Sequence, residues 1–451
     1  MAVEIETTPY HHAANVEAPL TLDQPVVKSL GFFDQVGLWG NLGVSLLGFT
    51  GALFVLQPRE NSPGLSLTAA LVATFVGTAL GAAAVGLAAV PAARTGAPAM
   101  VLLRGLFGGR LSYLPTGINI VQLLGWATFE IVIIASAAHQ LWPSVAQNTF
   151  VVTAGVVTTA LALRPLGVVR VLRKYVTVAV AIVVAYLFVQ LLRQPLPSPA
   201  HASWQNFWPA VDVALAVAIS WVPVAGDYAR HSRSPRTAFG AAFVGYTVTQ
   251  TACYALGIIA ILSVPAASDG SNHGVWGAFI AVALGKLAFA VLAIREIDQS
   301  FCDVYSTAIS TQNLRPQWDR RVLALIVGVG ATLLALLFHI GNYQNFLYLI
   351  GSVFVPLFGV LVVDYFVLHG DRRWDVAERA RSRWLMLIPW VAGFCVYQLI
   401  NPGVIPRWAG FWGRVARDIG FTAQSWMSAS LLSFVAAGLL TLIVHVPLRA
   451  S

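Results

Sequence analysis

Runs of about twenty apolar residues recur twelve times along this chain of 451 residues. A run of that length has one plain physical use: wound as a helix, it spans the hydrocarbon core of a bilayer. The runs lie near 33–56, 66–90, 115–138, 149–163, 168–192, 211–228, 238–262, 287–311, 322–340, 344–368, 384–400 and 425–446. A thirteenth apolar stretch, 276–286, reads as an extra helix on an outer loop. With 57% hydrophobic and 10% charged residues, the chain cannot clothe a soluble surface. Continuous runs, not alternating ten-residue segments, dominate, which excludes a β-barrel. The expectation is an all-α polytopic membrane protein of about twelve transmembrane helices.

The formal net charge of +8 can suggest nucleic acid, but the placement of the basic residues gives another reason for it. Loops after the even-numbered runs hold eighteen Lys and Arg; loops after the odd-numbered runs hold six. The positive-inside rule then places the even loops and both termini in the cytoplasm, with the chain in the cell membrane. Residues 1–32 form a polar N-terminal tail with no apolar stretch, so no cleaved signal is expected. His11 and His12 belong to that tail and are not expected to bind a metal. Cys253, Cys302 and Cys395 all sit in apolar segments without metal-type spacing, which suits packing and not disulfides.

Glycine and proline mark two unusual helices. The first run carries Gly37, Gly40, Gly43, Gly48 and Gly51 around Trp39, Asn41 and Ser45. The sixth has Pro223 and Gly226 just after Trp221. Interrupted segments five crossings apart are what an inverted repeat predicts, here 33–192 against 211–368, with 384–451 adding two helices and a tail. Such breaks free backbone N–H and C=O groups at mid-membrane depth, where they can hold a substrate or a cation.

Two other runs carry ionisable groups near their centres, which normally face protein or water and mark a transport path. In the third, Trp126 and Glu130 are four residues apart and share one helix face. In the eighth, Arg295, Glu296, Asp298, Gln299, Ser300 and Asp303 cluster near the centre, followed by Ser306 and Thr307. Gln299 and Asp303 share a face; Arg295 and Glu296, being adjacent, point different ways.

Taken together, GNLGVSLLGFTGALF, GAPAMVLLRGLFGGRLSYLPTGINIVQLLGWATFE, SWVPVAGDYAR, DQSFCDVYSTAIS and GSVFVPLFGVLVVDYFVL, in this order, resemble the nucleobase–cation symporter-1 family of purine–cytosine permeases and hydantoin transporters. The resemblance runs from about Phe32 to about Asn401. It implies a leucine-transporter-like fold of five plus five inverted helices with two peripheral ones, and an importer working by alternating access. It also implies that Trp126 and Trp221 sandwich the substrate ring, that Glu130 bonds the ring edge, and that Asn41 lies nearby. Where family members carry amides on the eighth crossing, this chain offers Gln299, Ser300 and Asp303. In sodium-coupled members hydroxyls of that crossing help hold the ion, which points to Ser306 and Thr307. Asp298 and Glu296 suit a proton equally well, so Na+ and H+ both stay open.

The chemistry agrees with the residue types. Two indole faces can hold a planar base by offset stacking. An ionised carboxylate only accepts hydrogen bonds, so it suits an exocyclic amine or ring N–H groups, as in cytosine or a purine. Hydroxymethylpyrimidine, allantoin or a hydantoin is the alternative cargo. No nucleotide-binding loop, His/Cys metal cluster or sizeable soluble domain points to an enzyme or an ATP-driven pump. No cofactor and no nucleic-acid partner is expected; the partners are the small substrate and the lipid bilayer, and a single chain suffices.

Overall fold

The computed structural model describes residues 19–58, 64–163, 166–196, 203–264, 272–337 and 343–445. His11, His12, Arg59 and Arg164 lie outside them. Among the described residues the regular secondary structure is helical apart from one isolated bridge between Leu30 and Ser232. Its first half comprises α1 (Phe32–Leu42), α2 (Leu46–Leu56), α3 (Leu67–Thr95), α4 (Ala99–Phe107), α5 (Tyr113–Leu141), α6 (Gln147–Ala162) and α7 (Leu166–Leu191). Next come α8 (Phe207–Ile219), α9 (Ala225–Ala229), α10 (Pro235–Ser263), α11 (Asn272–Ala281), α12 (Gly285–Leu314), α13 (Arg320–Leu337) and α14 (Tyr343–Val362). The chain closes with α15 (Gly370–Arg373), α16 (Leu387–Ile400), α17 (Pro406–Asp418) and α18 (Ala429–His445).

Every expected crossing coincides with a helix or a broken pair of helices. By length and composition alone six helical spans are long and apolar enough to cross a membrane, and the bent pair α1/α2 makes a seventh. The remaining crossings are shorter or, like α12, rich in polar side chains.

Both marked helices are broken. α1 and α2 meet at an angle of 61° across Gly43, Val44 and Ser45. A side chain at Gly43 would force α10 to give way, because its Cβ would lie 2.2 Å from Thr249 Oγ1 and 3.1 Å from the Tyr246 carbonyl. Ser45 then restarts the helix as its N-cap, its hydroxyl accepting from the Leu47 N–H at 3.1 Å. In the sixth crossing, α8 stops at Ile219, a single 3₁₀ turn over Val222–Val224 follows, and α9 resumes. Pro223 inside that turn has no N–H to continue the α-helical ladder.

Packing sorts the helices into groups. α3, α8, α10 and the α1/α2 pair form one bundle, while α5, α6, α12 and α13 form another. α14, α16 and α18 make a third, peripheral group. Asp212 on α8 ties this periphery to the first bundle by capping α18: it accepts from the Ser428 hydroxyl at 2.5 Å and the Ala429 N–H at 2.7 Å. At the other end of α14, buried Asp364 takes Arg383 at 2.7 Å and the Trp374 indole at 2.6 Å, fastening the loop that leads to α16.

The segment ahead of α1 is not loose where it is described. Leu30 exchanges backbone hydrogen bonds with His231 and Arg233, and Leu20 accepts from Arg320 N and Gln312 Nε2. It thus straps the start of α10 to the α12–α13 corner. His231 beneath the strap is held at about pKa 3, first by burial and then by the neighbouring Arg230 charge.

Candidate functional site

The two breaks and the two polar helices meet at one small cavity of about 20 Å³, room for a water molecule or so. From α2 and its cap come Ser45 and Leu47; from α5, Leu123, Trp126 and Glu130; from the end of α8, Val217, Ser220 and Trp221; from α12, Gln299 and Asp303. Five residues expected at the substrate, Trp126, Glu130, Trp221, Gln299 and Asp303, therefore line one space.

Local structure explains how each is presented. Trp126 and Glu130 sit one turn apart on α5, 7% and 0% exposed. The Trp126 ring is braced edge-on by Phe346 of α14, with centroids 5.2 Å apart. Trp221 is 6% exposed and falls on the turn between α8 and α9, its N–H bonded to the Ala218 carbonyl and its carbonyl accepting from Val224. Both oxygens of Glu130 are buried and neither accepts from an N–H or a Ser, Thr or Tyr hydroxyl among the described residues; the carboxyl lies against that of Glu296. Glu130 instead feels the charges of Glu296, Asp303 and Arg295 on α12. A buried carboxyl without donors is costly, and a ligand carrying N–H groups can supply them.

α12 reads the α1/α2 break from both sides. Arg295, 1% exposed, donates to the Asn41 carbonyl at the C-terminal end of α1, and its Nε lies 3.4 Å from Asn41 Oδ1. Glu296 faces the N-terminal end of α2, accepting from the Ser45 hydroxyl at 2.9 Å and the Leu46 N–H at 3.2 Å. Each charge meets the helix end of opposite polarity. The adjacent pair does serve different half-helices, as the spacing predicts. Yet the long side chains also fold together: Arg295 bonds Glu296 at 2.9 Å and Gln299 at 2.7 Å. Asn41 completes the knot by donating to Asp298.

The other expected residues lie off the cavity. Asn41 and Asp298 belong to the break. Ser300 is fully buried, and its hydroxyl has no partner among the described residues. Ser306 meets the Tyr228 hydroxyl of α9 at 3.0 Å, and Thr307 donates back to the Asp303 carbonyl at 2.6 Å. Ser45 and Ser220 line the cavity without having been singled out as site residues. Their signal was positional: one caps the restarted helix, the other immediately precedes Trp221.

Residues 61–382 match the family described as permeases for cytosine/purines, uracil, thiamine and allantoin. Among curated proteins no significant match is found. Among solved structures the chain is similar to Mhp1, a nucleobase–cation-symport-1 family transporter, in a closed conformation with bromovinylhydantoin bound. There the identity is 15%, 95% of this chain and 94% of that one are covered, and the TM-score is 0.72. The inward-facing conformation of Mhp1 matches at 14% identity over 99% and 96%, TM-score 0.68. A Na+-coupled sialic acid symporter in a substrate-bound, outward-open state matches at 10% identity over 93% and 90%, TM-score 0.65. These likenesses establish a shared fold.

Proposed function

We propose, from the premise that this chain belongs to the permease family for cytosine/purines, uracil, thiamine and allantoin, that it imports a nucleobase across the cytoplasmic membrane as a cation- or proton-coupled symporter. The cargo is a planar ring with N–H donors on its edge, cytosine or a purine. The observation that carries this reading is a buried carboxyl with no hydrogen-bond donor, in one cavity with two tryptophans from different helices. Trp126 and Trp221 stack on the ring and exclude water. Glu130 accepts from its amine or ring N–H, while Gln299 and Asp303 contact the remaining edge.

Alternating access follows from the fold: the broken crossings and α5 and α12 meet at mid-membrane, and rocking one bundle against the other exposes the cavity to either side. The basic even-numbered loops orient the chain with both termini in the cytoplasm. Allantoin, a hydantoin or hydroxymethylpyrimidine is a second reading, favoured by the breadth of the family's cargo. The test is uptake of radiolabelled cytosine, adenine and allantoin by cells expressing the chain. Accumulation of a base, lost in Glu130→Ala, supports the reading. Normal uptake by that variant removes the carboxyl from the site, and accumulation of allantoin alone replaces the cargo.

A further inference from the structure

At a helix break in the membrane, the unsatisfied carbonyls at the end of the first half-helix are a ready cation site. Here that end is already occupied by a side chain. Arg295 donates to the Asn41 carbonyl, lies beside the Asn41 amide oxygen, and is itself held by Glu296 and Gln299. Glu296 is committed in turn to Arg295, the Ser45 hydroxyl and the Leu46 N–H. Asp298 is engaged by Asn41.

We propose that the Arg295 guanidinium is the resident cation of the α1/α2 break, so that this chain carries its substrate without sodium and couples it to a proton held by Asp303. The inference rests on the transport reading above and deepens it.

Charge balance leads to the same place. α5 and α12 bring four carboxyl groups, Glu130, Glu296, Asp298 and Asp303, to the break and cavity, and Arg295 is the one basic group among them. From α10, Tyr246 and Cys253 also face Arg295. Arg295 offsets Glu296 directly. Of the remaining acids, Glu130 and Asp303 line the cavity itself. Two ionised carboxylates in so small a space within the bilayer are prohibitively costly without a counter-charge. A proton on Asp303 can provide it, without the oxygen cage that a metal cation needs, and it leaves Glu130 as the acceptor for the ring N–H.

The first test needs no substrate. The purified full chain is melted in detergent in matched sodium, potassium and N-methylglucamine chloride. The midpoint is expected to be the same in all three; a sodium-specific rise of about 2 °C or more overturns the proposal. Arg295→Ala vacates the carbonyl end and should become sodium-stabilised, whereas Arg295→Lys keeps a cation there and should stay indifferent. An Arg295→Ala variant as blind to sodium as the parent means that the guanidinium does not stand in for an ion. If that variant does not fold, the parent's salt series still decides.

The second test uses proteoliposomes and radiolabelled cytosine. An acid-outside pH gradient without sodium should drive accumulation that a protonophore abolishes, and a sodium gradient alone should not. Sodium-driven accumulation overturns this inference while leaving the transport reading intact. Absence of cytosine binding and uptake under every gradient counts against the cargo, and the salt series continues to test Arg295 independently.

Discussion

Replacing Glu130 by Gln should move stability and binding in opposite directions. No N–H or hydroxyl donor reaches either oxygen of the buried carboxyl, and the side chain lies against Glu296 and near Asp303, two further acids. An unsatisfied buried polar group costs about 1–3 kcal/mol, more when charged. The neutral amide relieves the repulsion from Glu296 and Asp303, so the empty protein should melt about 1–3 °C higher. For the ligand the sign reverses. Hydrogen bonds to a charged acceptor contribute about 1.5–3 kcal/mol, so losing that acceptor should weaken cytosine binding roughly 10- to 150-fold. The assay pairs differential scanning fluorimetry of the ligand-free protein with radiolabelled cytosine binding in the same detergent. A residue that merely supports packing would lose both. If Glu130→Gln binds cytosine within about twofold of the parent, or melts lower while binding normally, the reasoning fails.

Trp126→Ala and Trp221→Ala should each weaken ring binding by the worth of one stacked face, about 1–3 kcal/mol, with Phe restoring part of it in the same binding assay. Harmless Ala at both positions would discard stacking. Asp212→Ala removes the cap of α18 and should lower the melting temperature by the equivalent of about 1 kcal/mol while leaving ring affinity unchanged. Gly43→Ala places a methyl 2.2 Å from Thr249 Oγ1 and should depress folded yield, which Thr249→Ala partly restores. His231 titrates near 3 in the fold against about 6.5 when free, so it stays neutral in the fold while the unfolded chain gains a proton. Its contribution should destabilise the fold progressively below about pH 6.5, and His231→Gln should flatten that decline in melting curves between pH 7 and 5.

The path to the cavity was legible because it depends on local pattern. Apolar length located α3, α5 and α10; Gly43 and Pro223 located the breaks; the four-residue spacing put Trp126 and Glu130 on one face. What escaped depends on partners far away in sequence. Nothing near Asn41 announces that Arg295 and Asp298, more than 250 residues later, will close around it. Adjacency suggested that Arg295 and Glu296 diverge, but long side chains on neighbouring positions can still meet. The strap at residues 19–31 pairs through backbone atoms at isolated points, which leaves no periodicity to read. Arg407, Arg414 and Arg417 are among the basic residues of the loops after the odd-numbered runs. They belong to α17, an amphipathic helix whose Trp408 and Trp412 pack on Phe394, too polar overall to register as an apolar run.

The most direct test of the cavity as the substrate site is an experimental structure of the full chain with 5-bromocytosine, its bromine located by anomalous scattering. The account predicts a ring lying between Trp126 and Trp221 with an N–H group within hydrogen-bonding distance of Glu130. Bromine elsewhere in the chain, or Glu130 turned toward lipid with the ring bound, would contradict it.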